Sequence, residues 1–181
     1  MAGKKKSYAV LLRGVTPSGK NKVPMAGLRE ALAQTPLGEV STYIQSGNVL
    51  VRSELPPTRI EKIVHDAIAE NFGGDLAIMA LTGDELQALL DRNPFAGEET
   101  SRMYFTVLSE MPKQDRIEQF AVTDFSPDRI QIIGRMVYSL YATKHSDSKF
   151  NNNVFERMLK VSATTRNWNT MTALIKRCAE L

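Results

Sequence analysis

The order of the hydrophobic patterns in the first eighty residues constrains the fold of this chain more than any other feature. A short apolar run predicts a buried strand, helical spacing predicts an amphipathic helix, and alternation around Ser46-Gly47 predicts a hairpin. In chain order we expect a strand over residues 7–13, a helix from Pro24 to Thr35, strands over residues 40–45 and 48–52, a helix over residues 58–72 and a strand over residues 76–81. This order, β-α-β-β-α-β, is that of a ferredoxin-like unit.

The second half repeats most of this order without a visible sequence repeat. Thr82, with Glu85 three residues later, predicts a capping box for a helix that runs to Leu90. We then expect a strand over residues 103–108, a helix over residues 113–122, a hairpin of residues 130–133 and 136–141, and closing helices over residues 152–161 and 167–179. The sequence therefore predicts an α+β fold of two related subdomains, a ferredoxin-like one over residues 1–81 and a second one over residues 82–181.

The single cysteine and the short apolar runs indicate the cellular compartment of the protein. Cys178 has no second cysteine with which to form an internal disulfide bond. The apolar run at residues 8–12 is too short for a signal peptide or a membrane span. We therefore expect a cytoplasmic protein without a membrane partner.

Positive charge is concentrated at both ends of the chain. The first 22 residues contain six basic and no acidic side chains, whereas the whole protein has a net charge of only +3. Residues 142–181 are also basic, and the segment between the two ends is acidic. Such asymmetry is typical of a surface that binds anions, including nucleic acids. The alternative is that the lysines of residues 4–6 form a solvated tail.

The loop over residues 13–23 (RGVTPSGKNKV) resembles a P-loop but departs from it in two ways. Asn21 replaces the Ser or Thr hydroxyl that coordinates magnesium in a P-loop. In addition, a P-loop helix begins at the lysine, whereas Pro24 delays the helix here. The pattern therefore argues against nucleotide hydrolysis.

A simpler role remains for the same loop. Gly14 and Gly19 permit a tight backbone with exposed amides, and Asn21 adds a polar side chain. Arg13, Lys20 and Lys22 supply positive charge, so we expect the loop to bind a phosphate or carboxylate group. The alternative is a solvated surface loop.

Two further segments are more polar than their structural roles require. In the hairpin, Gly47 and Asn48 are explained by the backbone angles of a turn. Alternation places Tyr43 and Gln45 on the face opposite Ile44, toward solvent or a ligand, and Ser46 lies at the tip. We therefore count the polar side chains of this turn as candidate ligand contacts, namely Tyr43, Gln45, Ser46 and Asn48.

The second polar segment, residues 163–170 (ATTRNWNT), is expected to open the last helix. Thr165 or Asn167 is a suitable helix cap, and Trp168 and Cys178 belong to an apolar stripe. Arg166 then lies beside a helix N-terminus, where the partial charge is already positive, and this placement favours a bound anion or a carboxylate partner. Thr165, Arg166 and Asn167 complete the set of candidate ligand-binding residues.

The residues of common catalytic and metal sites are sparse. His65 lies off the apolar stripe of its helix, which predicts an exposed side chain. His145 has a serine and an aspartate beside it in sequence, but adjacent residues cannot form a catalytic triad. Two scattered histidines and one cysteine argue against a zinc site, and no cofactor is indicated. Cys178 on an apolar stripe is typical of an inert buried thiol.

Four segments of the chain resemble the bacterial domain of unknown function 1697 family. They are residues 11–14 (LLRG), 19–25 (GKNKVPM), 42–48 (TYIQSGN) and 164–168 (TTRNW). The resemblance spans nearly the whole chain and implies an α+β fold of ferredoxin-like subdomains. The biochemical role of that family is uncharacterised, so the resemblance implies no catalytic residues. Residues 16–18 (TPS) stand where relatives often have Asn-Val-Gly, which makes this loop stiffer.

Three functions remain open, and we favour the first. In the first hypothesis, the protein binds nucleic acid or a nucleotide through its basic ends. Alternatively, it is an enzyme whose loop, hairpin and C-terminal segment converge on one pocket around a phosphorylated or carboxylated small molecule. In the third hypothesis the motifs are structural or bind another protein, which predicts that Tyr43, Asn48 and Asn167 are buried and hydrogen-bonded.

Overall fold

A computed structural model describes residues 4–181, and its first half is a ferredoxin-like unit. The elements are β1 (Lys6–Leu12), α1 (Met25–Ala33), β2 (Glu39–Thr42), β3 (Asn48–Ser53), α2 (Pro57–Phe72) and β4 (Ile78–Thr82). The four strands form one antiparallel sheet in the order β2-β3-β1-β4. Val10 of β1 lies opposite Val49 on one side and Ala80 on the other. The predicted order of elements is confirmed.

The second half has the same order and one more helix on each side. Its elements are α3 (Gly83–Asp91), β5 (Met103–Leu108), α4 (Gln114–Ala121), β6 (Arg129–Ile133), β7 (Met136–Leu140), α5 (Asn152–Leu159), β8 (Ala163–Asn167) and α6 (Trp168–Glu180). The antiparallel sheet has the order β6-β7-β5-β8, which is equivalent to that of the first half. The α+β fold of two related ferredoxin-like halves with closing helices is therefore confirmed.

Strand β8 is the element that the sequence pattern missed. Its residues were expected to lead into the last helix, but Thr165 pairs with Thr106 of β5. Four of its five residues are polar (TTRN), so it lacks the apolar run that marks a buried strand. It is a strand because β5 supplies a partner, and that pairing is a long-range interaction.

Helix boundaries follow local capping signals. Helix α2 begins at Pro57 and ends at Phe72, and it is capped by Gly73, which adopts the left-handed conformation with φ of 69°. The capping box of α3 is confirmed: the Glu85 amide donates to Thr82 Oγ1 at 3.2 Å, and the Thr82 amide donates to Glu85 Oε2 at 2.7 Å. Within residues 4–181, no helix is both long and apolar enough to cross a lipid bilayer.

The chain divides into two compact units, each with its own hydrophobic core. The first unit contains the chain up to Gln87 together with Ala173–Leu181, and the second is Ala88–Thr172. In the first unit, α2 packs its apolar stripe of Ile60, Val64 and Ile68 into the core cluster that also contains Val10. The core of the second unit is rich in aromatic residues, among them Phe120, Phe125, Tyr141, Phe150 and Phe155.

Candidate ligand-binding site

The loop over residues 13–23 folds back on itself between β1 and α1. It leaves the sheet where the Arg13 amide donates to Ala77 O at 2.9 Å. Gly14 and Gly19 have φ of 81° and 80°, left-handed angles that glycine adopts without strain. The Thr16 amide donates to Asn21 O at 3.0 Å, and this closes the loop at its base.

The geometry of this loop differs from that of a P-loop. Helix α1 begins at Met25 and not at Lys20, so its N-terminal amides are not next to the lysine. Lys20 instead lies near Asp75. The hydrogen bond from His65 is the main cause that lowers the pKa of Asp75, and the charge of Lys20 contributes.

The hairpin turn over residues 43–47 differs from the prediction. Strand β2 ends at Thr42, so Tyr43 and Gln45 do not alternate with Ile44 as strand residues. Ile44 has φ of 50°, an unusual angle for a β-branched residue, and its side chain is 48% exposed. The Tyr43 amide closes the turn by donating to Asn48 O at 2.9 Å.

Gly47 and Asn48 support the turn in different ways. Gly47 has φ of 90°, and a Cβ at this position would lie 2.8 Å from Val15 Cγ2 and 2.9 Å from Leu12 Cβ. Asn48 belongs to β3 and is fully buried, so the expectation that it supplies a turn angle is wrong. Its Nδ2 donates to Tyr43 O at 3.1 Å and to Ser46 Oγ at 3.2 Å.

The loop and the turn together line one cavity of about 550 Å³. Its polar side chains are Thr16, Lys22, Gln45 and Ser46, and the remaining lining residues are Val15, Pro17, Val23, Pro24, Met25 and Ala26. Within the part of the chain that the structure describes, this lining contains no Asp, Glu, His or Cys. Two segments that the sequence marked separately are thus neighbours in the first unit.

Tyr43 has a partner that the sequence did not indicate. The guanidinium carbon of Arg177, in α6, lies 4.6 Å from the centroid of the Tyr43 ring. This is the geometry of a cation–π interaction, which covers one face of the ring. No local pattern could identify the pair because the two residues are far apart in sequence.

Thr165, Arg166 and Asn167 lie in the second unit and have partners there. Asn167 caps α6 by accepting a hydrogen bond from the Thr170 amide at 2.9 Å, whereas Thr165, the alternative cap, is a strand residue bonded to Thr106. Arg166 is buried in β8, and its Nη1 donates to Thr164 Oγ1 at 2.8 Å. Burial lowers the pKa of Arg166 to about 10. Arg166 directly precedes the cap residue Asn167, and its guanidinium group is hydrogen-bonded within β8.

The two histidines occupy different environments. His65 Nε2 lies 2.9 Å from Asp75 Oδ1, and its side chain is 41% exposed. His145 stacks on Tyr104 with 4.5 Å between ring centroids, and burial lowers its pKa. Across residues 4–181, no three His, Cys, Asp or Glu side chains form a cluster that could hold a metal ion.

Comparison with known proteins places the chain in a family. The sequence model of a protein family of unknown function, DUF1697, matches residues 5–138, which is more than half of the chain. The chain belongs to the DUF1697 family. The suspected family is thereby confirmed, and the match includes three of the four segments, whereas residues 164–168 lie outside it. The match includes both the loop over residues 13–23 and the turn over residues 43–47.

The fold of this DUF1697 protein also occurs in a solved structure. A conserved bacterial protein from Streptococcus pneumoniae superposes with a TM-score of 0.73 over 96% of this chain and 99% of that chain. The two sequences are 22% identical, so the similarity shows a shared fold. No curated protein matches the chain.

Proposed function

We propose that this protein binds a phosphorylated small molecule of nucleotide size in the cavity between the loop and the turn. The observation that carries the proposal is the shared cavity, whose volume of about 550 Å³ is ordinary for a small-molecule site. Such a ligand also agrees with the cytoplasmic location expected from the sequence.

The polar lining of the cavity suits an anion. Lys22 contributes a positive charge, and Gln45 and Ser46 contribute neutral polar groups. Met25 and Ala26 begin α1, where main-chain amides and the helix dipole favour negative charge. Because no carboxylate of the described lining opposes these groups, a phosphate group would bind without like-charge repulsion.

The rest of the lining suits an organic ligand more than an extended polyanion. Val15, Pro17 and Val23 give the cavity apolar surface against which a ring or carbon chain can pack. Among the described lining residues, no carboxylate, imidazole or thiol group is present that could activate Lys22 or the hydroxyls of Thr16 and Ser46 as nucleophiles. We therefore propose binding and not catalysis.

Nucleic acid binding of the stacking type has less support. In the first unit, the described strands carry no aromatic ring on the sheet face opposite α2, and its apolar residues are buried, namely Ala9, Leu11, Leu50, Met79 and Leu81. Proteins that bind RNA on such a sheet stack bases on exposed aromatic side chains. Tyr43, the aromatic residue among the candidate ligand contacts, already has Arg177 over its ring.

Calorimetric titration with adenosine monophosphate and with inorganic phosphate tests the proposal. Lys22→Ala should weaken both affinities about tenfold or more, because a hydrogen bond to a charged group contributes about 1.5–3 kcal/mol. Arg59→Ala is the matched control, since Arg59 is an exposed cation of α2 that does not line the cavity. It removes the same charge and should leave both affinities unchanged.

Three results would contradict the proposal. Wild-type protein that binds neither ligand would exclude a phosphate site. Equal losses for Lys22→Ala and Arg59→Ala would show that only the overall charge attracts the ligand. Tighter binding of a mixed-sequence single-stranded oligonucleotide than of the mononucleotide would favour a nucleic acid partner.

A further inference from the structure

Two hydroxyl groups in the same cavity are held in opposite orientations by internal hydrogen bonds. Ser46 Oγ accepts a hydrogen bond from Asn48 Nδ2 at 3.2 Å. Thr16 Oγ1 donates its proton to Ser18 O at 2.7 Å. A hydroxyl group has one proton and two lone pairs, so these bonds determine what each hydroxyl can offer a ligand.

Ser46 is left as a donor. One lone pair of its oxygen already accepts from Asn48, and its own proton remains for an acceptor in the cavity. Asn48 is fully buried and its second Nδ2 hydrogen is bonded to Tyr43 O, so the amide is fixed and cannot reverse its role. Asn48 is therefore a positioning residue for Ser46.

Thr16 is left as an acceptor. Its proton is directed to a carbonyl of its own loop, and both lone pairs of its oxygen remain to accept hydrogen bonds in the cavity. A phosphate oxygen without a proton cannot donate to these lone pairs, whereas an alcohol group can.

We propose that the ligand carries a free hydroxyl group beside its phosphate group, as a phosphorylated sugar does. Ser46 and Lys22 donate to the phosphate oxygens, and Thr16 accepts from the ligand hydroxyl. This inference rests on the proposed function and narrows it from phosphorylated small molecules in general to phosphorylated hydroxyl compounds.

Methyl phosphate and ribose 5-phosphate separate the two hydroxyl roles when titrated at pH 8. At this pH both phosphate groups have lost their second proton, whose pKa is about 6, so only ribose 5-phosphate has hydroxyl groups to donate. Wild-type protein should bind ribose 5-phosphate about fivefold more tightly than methyl phosphate, the gain of one neutral hydrogen bond.

The variants have different expected patterns. Ser46→Ala should weaken binding of both ligands by the same factor, about tenfold, because it removes a donor to the phosphate group. Thr16→Val should weaken only the binding of ribose 5-phosphate and abolish its advantage, and Thr16→Ser, which keeps the hydroxyl, should restore it. Thr35→Val is the matched control, since Thr35 Oγ1 also donates to a nearby carbonyl, that of Leu32, but does not line the cavity.

The outcomes distinguish this inference from the proposed function. Failure of the wild-type protein to bind either compound would overturn both. Binding of both compounds with equal affinity, or a Thr16→Val variant that weakens both equally, would overturn only the hydroxyl inference. Circular dichroism of each variant verifies that the fold is intact before affinities are compared.

Discussion

The environment of His65 shows how neighbouring carboxylates act on a single side chain. Its two ring nitrogens face Asp75 at 2.9 Å and Asp66 at 3.5 Å. The hydrogen bond with Asp75 is the largest cause that raises the pKa of His65, and partial burial opposes it. The same contact lowers the pKa of Asp75. The pair is therefore most favourable when the histidine is protonated and the aspartate is ionised.

The sign of the pH dependence is set by these shifts. A histidine whose pKa is raised on folding contributes stability that is complete below the unfolded value of about 6.5 and is lost as pH rises through the folded pKa. Asp75→Asn should lower the pKa of His65, as measured by NMR titration of its ring protons. The stability difference between wild type and Asp75→Asn should be largest near about pH 5–6 and should shrink at higher pH.

Asp66→Asn is the control for this histidine. Asp66 lies farther from the imidazole ring than Asp75 does. Asp66→Asn should therefore lower the pKa of His65 by less than Asp75→Asn does. Equal decreases for the two variants would show that general negative charge, and not the contact with Asp75, sets the pKa of His65.

At the scale of elements, an equivalent hydrogen bond in each half joins the end of the first strand to the hairpin turn. The Leu12 amide donates to Gly47 O, and the Leu108 amide donates to Arg135 O, both at 2.9 Å. Leu12 ends β1 and Leu108 ends β5, so the same position of each sheet bonds to the turn between its second and third strands.

The surroundings of these two strand ends differ between the halves. In the second half, the guanidinium group of Arg135 donates to Leu108 O at 3.0 Å and to Ser109 O at 2.8 Å. In the first half Gly47 stands at the equivalent place, and the longer loop over residues 13–23 packs against it. The turn and loop of the first half can therefore share a cavity because residue 47 has no side chain.

Gly47→Ala should separate the turn from the loop. The new Cβ would lie within 3 Å of Val15 and Leu12, and the left-handed angle adds strain. We expect the free energy of unfolding to fall by about 2–4 kcal/mol in chemical denaturation, from a conformational cost of about 1–2 kcal/mol plus the overlap.

Gly19→Ala is the matched control for this glycine. Gly19 has a similar φ of 80°, but no atom lies within 4 Å of its ideal Cβ position. The free energy of unfolding should therefore fall only by the conformational cost, which is about 1–2 kcal/mol. Equal destabilisation by the two substitutions would mean that the close packing of turn on loop contributes nothing to stability.

At the scale of the whole molecule, the two ends of the chain meet in the first unit. The lysines at positions 4–6 line a cavity of about 460 Å³ together with Gly83, Ile175 and Cys178. Helix α6 also packs closely on the start of α3, because a Cβ on Gly83 would lie 2.7 Å from Cys178 Cβ. The C-terminal part of α6 thus completes a unit whose other residues precede position 88.

Deletion of residues 173–181 should loosen the first unit in particular. It removes the fully buried Leu174, whose side chain contributes about 1.5–3 kcal/mol when buried, and the nearly buried Cys178. Hydrogen exchange should show a larger loss of protection in β1 than in β5. Lys176→Ala, which changes an exposed residue of the same segment, should leave protection unchanged. Uniform loss in both strands would contradict this prediction.

Local signals in the sequence were enough to predict the elements that depend on near neighbours. Apolar periodicity identified α2, and the Thr82–Glu85 capping box identified the start of α3, because neighbours within one or two turns decide both. The polar residues of β8 form a strand for a tertiary reason, since their partner β5 is distant in sequence. The burial of Arg166 and the cavity shared by loop and turn likewise depend on contacts between segments that no local pattern describes.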